Sequence, residues 1–225
     1  ETKLLLMDCR PPALSNATMW DVGTHGGMGG NYALKVATRP LKGHLAKALK
    51  RLTWRRLGLL RCEMYFTFHP EPSELDLGET DFQAFGVSYD IQDDERRYWP
   101  AIRYLNAEDG KPVRRWQYHA SGDRVVHLDG FEAAPGSGPK DEFCYNEIAT
   151  KQNWHYLSWT IDLATRQYVD LRCNDQTYDL RGLGHEPMEP YANLRTLLNL
   201  GVWVEAGANR RCFLYVDSVL LSTDE

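Results

Sequence analysis

Apolar and polar positions alternate along most of this chain. Over residues 153–174 (NWHYLSWTIDLATRQYVDLRCN), His155, Leu157, Trp159 and Ile161 alternate with Trp154, Tyr156, Ser158 and Thr160. A short polar connection, residues 162–166, follows; then Val169, Leu171 and Cys173 alternate with Tyr168, Asp170 and Arg172. Period two on both sides of a short turn predicts an antiparallel hairpin. The same grammar recurs. Cys62, Met64, Phe66 and Phe68 stand against Glu63, Tyr65 and Thr67, and Phe85, Val87, Tyr89 and Ile91 against Gly86, Ser88 and Asp90. Further strands are expected over residues 4–7, 32–38, 98–105, 113–119, 125–128, 197–206 and 213–221, with residues 106–110 (NAEDG) as a hairpin connection. Residues 40–54 break the pattern. Leu41, Leu45, Leu49 and Leu52 repeat at helical spacing, which predicts one short helix near residues 41–53. About ten or eleven short strands, one helix and no internal repeat point to a closed or two-sheet all-β architecture.

Composition narrows this little. A chain of 225 residues that is 43% hydrophobic can bury a substantial core as one domain, residues 1–225. The 12% aromatic content adds flat surfaces on which ligands stack. A net charge of −5 argues against a nucleic-acid binder. No run of 18 apolar residues is present, so no membrane-spanning helix is expected. The apolar run at the start is too short for a signal peptide, which leaves a cytoplasmic home or secretion after removal of a leader. The five cysteines (Cys9, Cys62, Cys144, Cys173 and Cys212) form no zinc pattern and are expected to be reduced, Cys62 and Cys173 as buried thiols. The glycine-rich stretch 23–30 (GTHGGMGG) lacks the following helix and Lys-Ser/Thr of a phosphate cradle, so it reads as a loop. Residues 132–140 form a second, Gly/Pro-rich loop.

Charge is segregated. Residues 23–61 hold nine Lys or Arg and no acid, and residues 62–95 hold ten Asp or Glu and no Lys or Arg. Either the two segments are ordinary solvated faces that partly neutralise each other, or the basic helix meets an acidic polymer or anionic surface.

Two constellations could carry chemistry. In residues 74–79 (ELDLGE), Glu74, Asp76 and Glu79 can point to one side of a bulged strand, as the paired carboxylates of a retaining glycosidase do. The segment resembles the active-site strand of laminarinase-type glycosidases. That resemblance implies Glu74 as nucleophile, Asp76 as helper and Glu79 as acid/base, although residues 80–82 depart from the expected continuation. The second constellation is a face. If the apolar alternants point inward, the other set lines one outer sheet surface: Glu63, Tyr65, Ser88, Asp90, Gln92, Trp99, Arg103, Gln117, His119, Tyr156 and Trp203. Planar polar groups beside exposed aromatics suit sugars, whose hydroxyls take paired hydrogen bonds and whose C–H faces stack. The alternative is an ordinary wet sheet with cross-strand polar pairs. The seven histidines show no metal spacing, and His155 falls on the apolar side as a core histidine. Asp8 and Asp217 could meet if the first and last strands pair, and two carboxylates with nearby carbonyls could hold calcium.

Residues 85–90 (FGVSYD), 154–162 (WHYLSWTID), 168–170 (YVD) and 213–219 (FLYVDSV) resemble the concanavalin A-like lectin/glucanase superfamily, nearest to bacterial members without an assigned activity. The resemblance covers residues 60–221. It implies a jelly roll of two curved antiparallel sheets with one concave face, and no particular activity, since this fold hosts lectins, hydrolases, lyases and adhesion modules. The expectation is carbohydrate binding on the concave sheet without catalysis. A glycoside hydrolase or polysaccharide lyase of the same fold, using Glu74 and Glu79 or acids such as Glu63 and Asp90, is the alternative. A protein-interaction module is the third.

Overall fold

The computed structural model describes residues 28, 33–52, 58–71, 73, 78–93, 96–122, 124–128, 143, 153–194 and 197–224. Its strands are β1 (Leu34–Ala37), β2 (Leu45–Leu52), β3 (Leu59–Pro70), β4 (Phe82–Gln92), β5 (Arg97–Tyr98), β6 (Ala101–Glu108), β7 (Lys111–Ser121), β8 (Arg124–His127), β9 (His155–Asp162), β10 (Gln167–Cys173), β11 (Gln176–Asp179), β12 (Leu197–Ala206) and β13 (Cys212–Thr223). Two antiparallel sheets result. One runs β1-β13-β3-β9-β10-β11; the other runs β2-β12-β4-β6-β7-β8, with β5 paired to β4. The expected strand at residues 4–7, the loop at 132–140 and the loop at 23–30 (Met28 apart) lie outside the described residues, as do Asp8, Cys9, Glu74, Asp76 and Cys144.

The expected hairpin forms as β9–β10, with Leu171 opposite Trp159 and Cys173 opposite Leu157. Its phase slips once. A bulge between Tyr168 and Asp170 buries Tyr168 and leaves Val169 half-buried. One inserted residue exchanges the two faces of a strand, so the simple alternation fails there. The β6–β7 hairpin turns on Asp109 and Gly110, with φ of 49° and 73°. Two successive positive φ values are what a tight two-residue connection requires.

The expected helix near residues 41–53 is not there: Leu45–Leu52 is β2, paired with β12 over eight residues from Leu198↔Leu52 to Glu205↔Leu45. The reason lies in the period. A repeat of four fits a helix, but it is also a multiple of two, so Leu45 and Leu49 share one face of a strand. Ala46 and Ala48 then enter the core. A neighbouring strand that supplies the whole ladder outweighs a weak local propensity.

Side chains from both sheets meet in one core. Cys62, Met64, Phe66 and Phe68 of β3 face Phe85, Val87 and Tyr89 of β4, joined by Trp116, Trp159, Leu200 and Leu214. His155 packs against Phe66, Phe68 and Phe143, as its apolar position foretells. The Tyr168 hydroxyl spans the sheets. It donates to the His119 carbonyl at 2.6 Å and accepts from the Ala101 N–H at 3.0 Å. Cys62, Cys173 and Cys212 are buried free thiols. Burial, then Glu63, pushes the Cys62 thiol up to about 12, and burial, then Asp81, does the same for Cys212, so neither forms a thiolate near neutral pH.

Tyr89 stacks on Trp159 with centroids 4.6 Å apart, but its buried hydroxyl has no partner among the described residues. An unpaired buried hydroxyl costs more than its removal. Tyr89→Phe is therefore expected to keep or raise stability, by up to about 1 kcal/mol, read from the midpoint of urea unfolding. A loss of that size would mean that the hydroxyl is satisfied in solution.

Candidate functional site: the outer face of the seven-stranded sheet

Turning the apolar alternants inward sends the remaining side chains to two opposite faces, not to one. Glu63 and Tyr65 on β3 and Tyr156 on β9 lie on the outer face of the six-stranded sheet, where the Tyr156 hydroxyl donates to Glu63 and the two tyrosine rings lie 5.5 Å apart. Ser88, Asp90, Gln92, Arg103, Gln117, His119 and Trp203 belong to the seven-stranded sheet. Alternation gives the side of a strand but not the sheet to which the strand belongs, so the single expected surface divides in two.

Across the seven-stranded face one register row crosses six strands: Lys47, Trp203, Gly86, Arg103, Gln117 and His127. Gly86 lies under the Trp203 ring; a Cβ there would come within 2.2 Å of the indole. Arg103 donates to both Glu205 oxygens, at 3.0 and 2.6 Å, and to Gln117 at 3.0 Å. The Trp203 indole N–H donates to the same carboxylate at 3.1 Å. The Lys47 ammonium lies over the Trp99 ring at 4.8 Å. Gln117, Trp203 and Glu205 are buried. These groups brace the face rather than offer themselves to a ligand.

The other expected site residues are held in the same way. His119 Nδ1 lies 2.8 Å from the Trp99 carbonyl and 3.0 Å from His185 Nε2, and Trp99 packs edge-on against the His119 ring. Burial, then His119, lowers His185 to about 4, against an opposing hydrogen bond to the Glu186 backbone. Asp90 accepts two hydrogen bonds from Arg97, at 2.7 and 3.0 Å. Gln92 clamps the loop before β12. It accepts from the Tyr191 N–H at 2.8 Å and donates to the carbonyls of Tyr191 and Leu194.

That clamp shapes the open part of the face, a cleft of about 410 Å³ lined by Arg51, Asp90, Tyr191, Ala192, Asn193, Leu194, Leu197 and Asn199. Arg51, Asn199 and Asp90 form its floor as one register row across β2, β12 and β4. Tyr191 is 51% exposed, with the Arg97 guanidinium 4.2 Å from its ring centroid. Asn199 is 4% exposed, and its side-chain oxygen has no hydrogen-bond partner among the described residues. Of the residues expected to bind ligand, Asp90 alone lines this cleft. The signal for Asn199 was present, as a single amide inside the apolar run LLNLGVWV. Arg51 was hidden by the helical reading, and Tyr191 by its place in a loop.

Glu79 sits in the 3-10 turn Glu79–Asp81 and pairs with Arg114 at 3.1 Å. Asp217 accepts the Met28 N–H at 2.7 Å. Among the described residues, no three His, Cys, Asp or Glu side chains gather to hold a metal. No described helix is long and apolar enough to cross a membrane.

Two antiparallel sheets enclosing one core, in this strand order, define the concanavalin A-like jelly-roll sandwich. The chain belongs to the family DUF6772, a domain of unknown function, whose model matches residues 2–225. Among solved structures it is similar to the endo-β-1,4-glucuronan lyase of the fungus Trichoderma reesei, at 10% identity and a TM-score of 0.51, over 93% of this chain and 88% of that one. The carbohydrate recognition domain of Emp47p aligns at 10% identity and a TM-score of 0.49, over 96% of this chain and 92% of that one. Lectin I-B4 of Griffonia simplicifolia, in its metal-free form, aligns at 11% identity and 0.45, over 89% and 90%. At these identities the likeness is one of fold. No curated protein matches the sequence.

Proposed function

We propose that this chain is a single noncatalytic domain that binds a carbohydrate in the cleft between the Tyr191 loop and the Arg51–Asn199–Asp90 row. The observation that carries the reading is Asn199, a buried amide oxygen without a partner among the described residues, in a cleft whose wall is a half-exposed tyrosine. A lone acceptor calls for a hydroxyl donor, and an exposed ring beside it offers a platform for C–H groups. A saccharide supplies both at once. The cleft volume lies within the common range of small-molecule sites, roughly 300–1,000 Å³.

The carboxylates on this face do not favour hydrolysis. Asp90 is level with Asn199 and Glu205 stands six positions further along β12, which separates them by about 20 Å. A glycosidase pair sits roughly 5–9.5 Å apart. Each of the two is also neutralised by its own arginine.

Binding of the wild-type chain to a glycan array, followed by calorimetry on variants, tests this. Tyr191→Ala and Asn199→Ala are each expected to weaken binding about tenfold or more, the scale of one lost stacking surface or one hydrogen bond left unmade. Tyr156→Ala, on the opposite face, is expected to leave affinity unchanged. Loss of binding in Tyr156→Ala with Tyr191→Ala unaffected would move the site to the six-stranded sheet. An array with no bound glycan would overturn the reading.

A further inference from the structure

We infer that the saccharide bound in this cleft is acidic, and that Arg51 reads its carboxylate. The inference rests on the carbohydrate reading above and adds the ligand class. Its ground is an uneven charge account within the cleft. Asp90, the one carboxylate among the described lining residues, spends both oxygens on Arg97, so that pair carries no net charge. Arg51, the one cation among the described lining residues, is exposed and makes no ion pair with a described residue. Among the described residues, the cleft therefore presents one guanidinium without a counter-charge.

Geometry makes that charge usable. Arg51 is the register partner of Asn199, so the guanidinium projects from the same row as the unpaired amide oxygen, about 5 Å away at the backbone. A guanidinium fork matches a carboxylate through two parallel hydrogen bonds. A uronate ring carries what the cleft lacks: a carboxylate for Arg51, a hydroxyl for Asn199 and a C–H face for Tyr191. A neutral hexose would satisfy the last two and leave Arg51 idle. A like charge does not oppose the anion from the cleft floor, because Asp90 is already neutralised.

The test is calorimetry with tetrasaccharides of glucuronate, mannuronate and galacturonate, each beside its carboxyl-reduced counterpart and beside a sulfated neutral tetrasaccharide. At least one uronate is expected to bind about tenfold or more tighter than its reduced form, the scale of a hydrogen bond to a charged group. The gap should narrow in high salt, as an exposed ion pair requires. Arg51→Gln should close the gap between a uronate and its reduced form, and Arg51→Lys should restore part of it. Equal binding of a uronate and its reduced form would overturn the acidic assignment while leaving the carbohydrate reading in place. Preference for the sulfated sugar over every uronate would likewise overturn the carboxylate assignment. Binding to none of these, with an array that is also blank, would remove both.

Discussion

Glu205→Ala is expected to destabilise the protein by about 3–5 kcal/mol, the cost of leaving a buried charge without its partner. The Glu205 carboxylate takes two hydrogen bonds from Arg103 and one from the Trp203 indole, and both members of the ion pair are largely buried, with side chains 13% and 9% exposed. Among the described residues, alanine removes the one carboxylate paired with Arg103; Gln117 supplies one neutral oxygen. A domain holds roughly 5–15 kcal/mol in total, so this single change takes a large fraction. Urea unfolding followed by tryptophan fluorescence measures it. The double variant Arg103→Met, Glu205→Leu is expected to recover most of the loss, since removing both charges also removes their desolvation cost. A loss under about 1 kcal/mol in Glu205→Ala would mean that the pair behaves as a surface salt bridge.

Acidification is expected to give the second large effect. Burial and His119 hold the His185 imidazole down to about 4, against an ordinary value of 6.5. The unfolded chain therefore binds a proton that the folded chain refuses between those two values. Stability from this group is fully present above pH 6.5 and is lost as the pH falls toward 4. The difference of about 2.5 pH units corresponds to about 3 kcal/mol at most, and solvent screening reduces it to about 2 kcal/mol. The groups that face His185 are the His119 ring, 3.0 Å away, and the backbone of Glu186. Melting temperatures measured from pH 7 to pH 4 should fall, and His185→Phe should flatten that part of the profile. An unchanged slope in the variant would assign the acid sensitivity to other groups.

How far the sequence reaches depends on which physical constraint writes the pattern. Burial of one strand face writes period two, and every long strand from β3 onward is legible in it: β4, β9, β12 and β13 fall where alternation puts them. The period is blind to anything that preserves it. It could not separate a four-residue helical repeat from the strand β2, because Leu45 and Leu49 satisfy both. It cannot say that β3 and β9 belong to one sheet and β4, β6 and β7 to the other, so by alternation alone Tyr65 and Tyr156 fall in one group with Asp90 and Trp203. The polar alternants were a sound list of face residues but a poor list of free ones. Arg103, Gln117, Gln92 and His119 are consumed by partners distant along the chain, brought near by strand register for Arg103 and Gln117 and by loops for Gln92 and His119. The acidic segment shows the same limit. Glu79, Asp81 and Asp90 find Arg114, Arg210 and Arg97, all from later in the chain than the basic stretch that precedes them.

The place of β2 at the end of the seven-stranded sheet carries a consequence for solubility. On one side β2 pairs with β12; on the other no described strand follows it. Among the described residues that edge is bare, and a bare strand edge is a template on which a second copy can add its own strand. Lys50 and Arg51 stand exposed on that edge, so two chains laid side by side would bring cation against cation before their backbones could pair. The same basic residues that read as a helix face thus act as a guard against edge-to-edge aggregation, and Arg51 would do so while also serving the cleft.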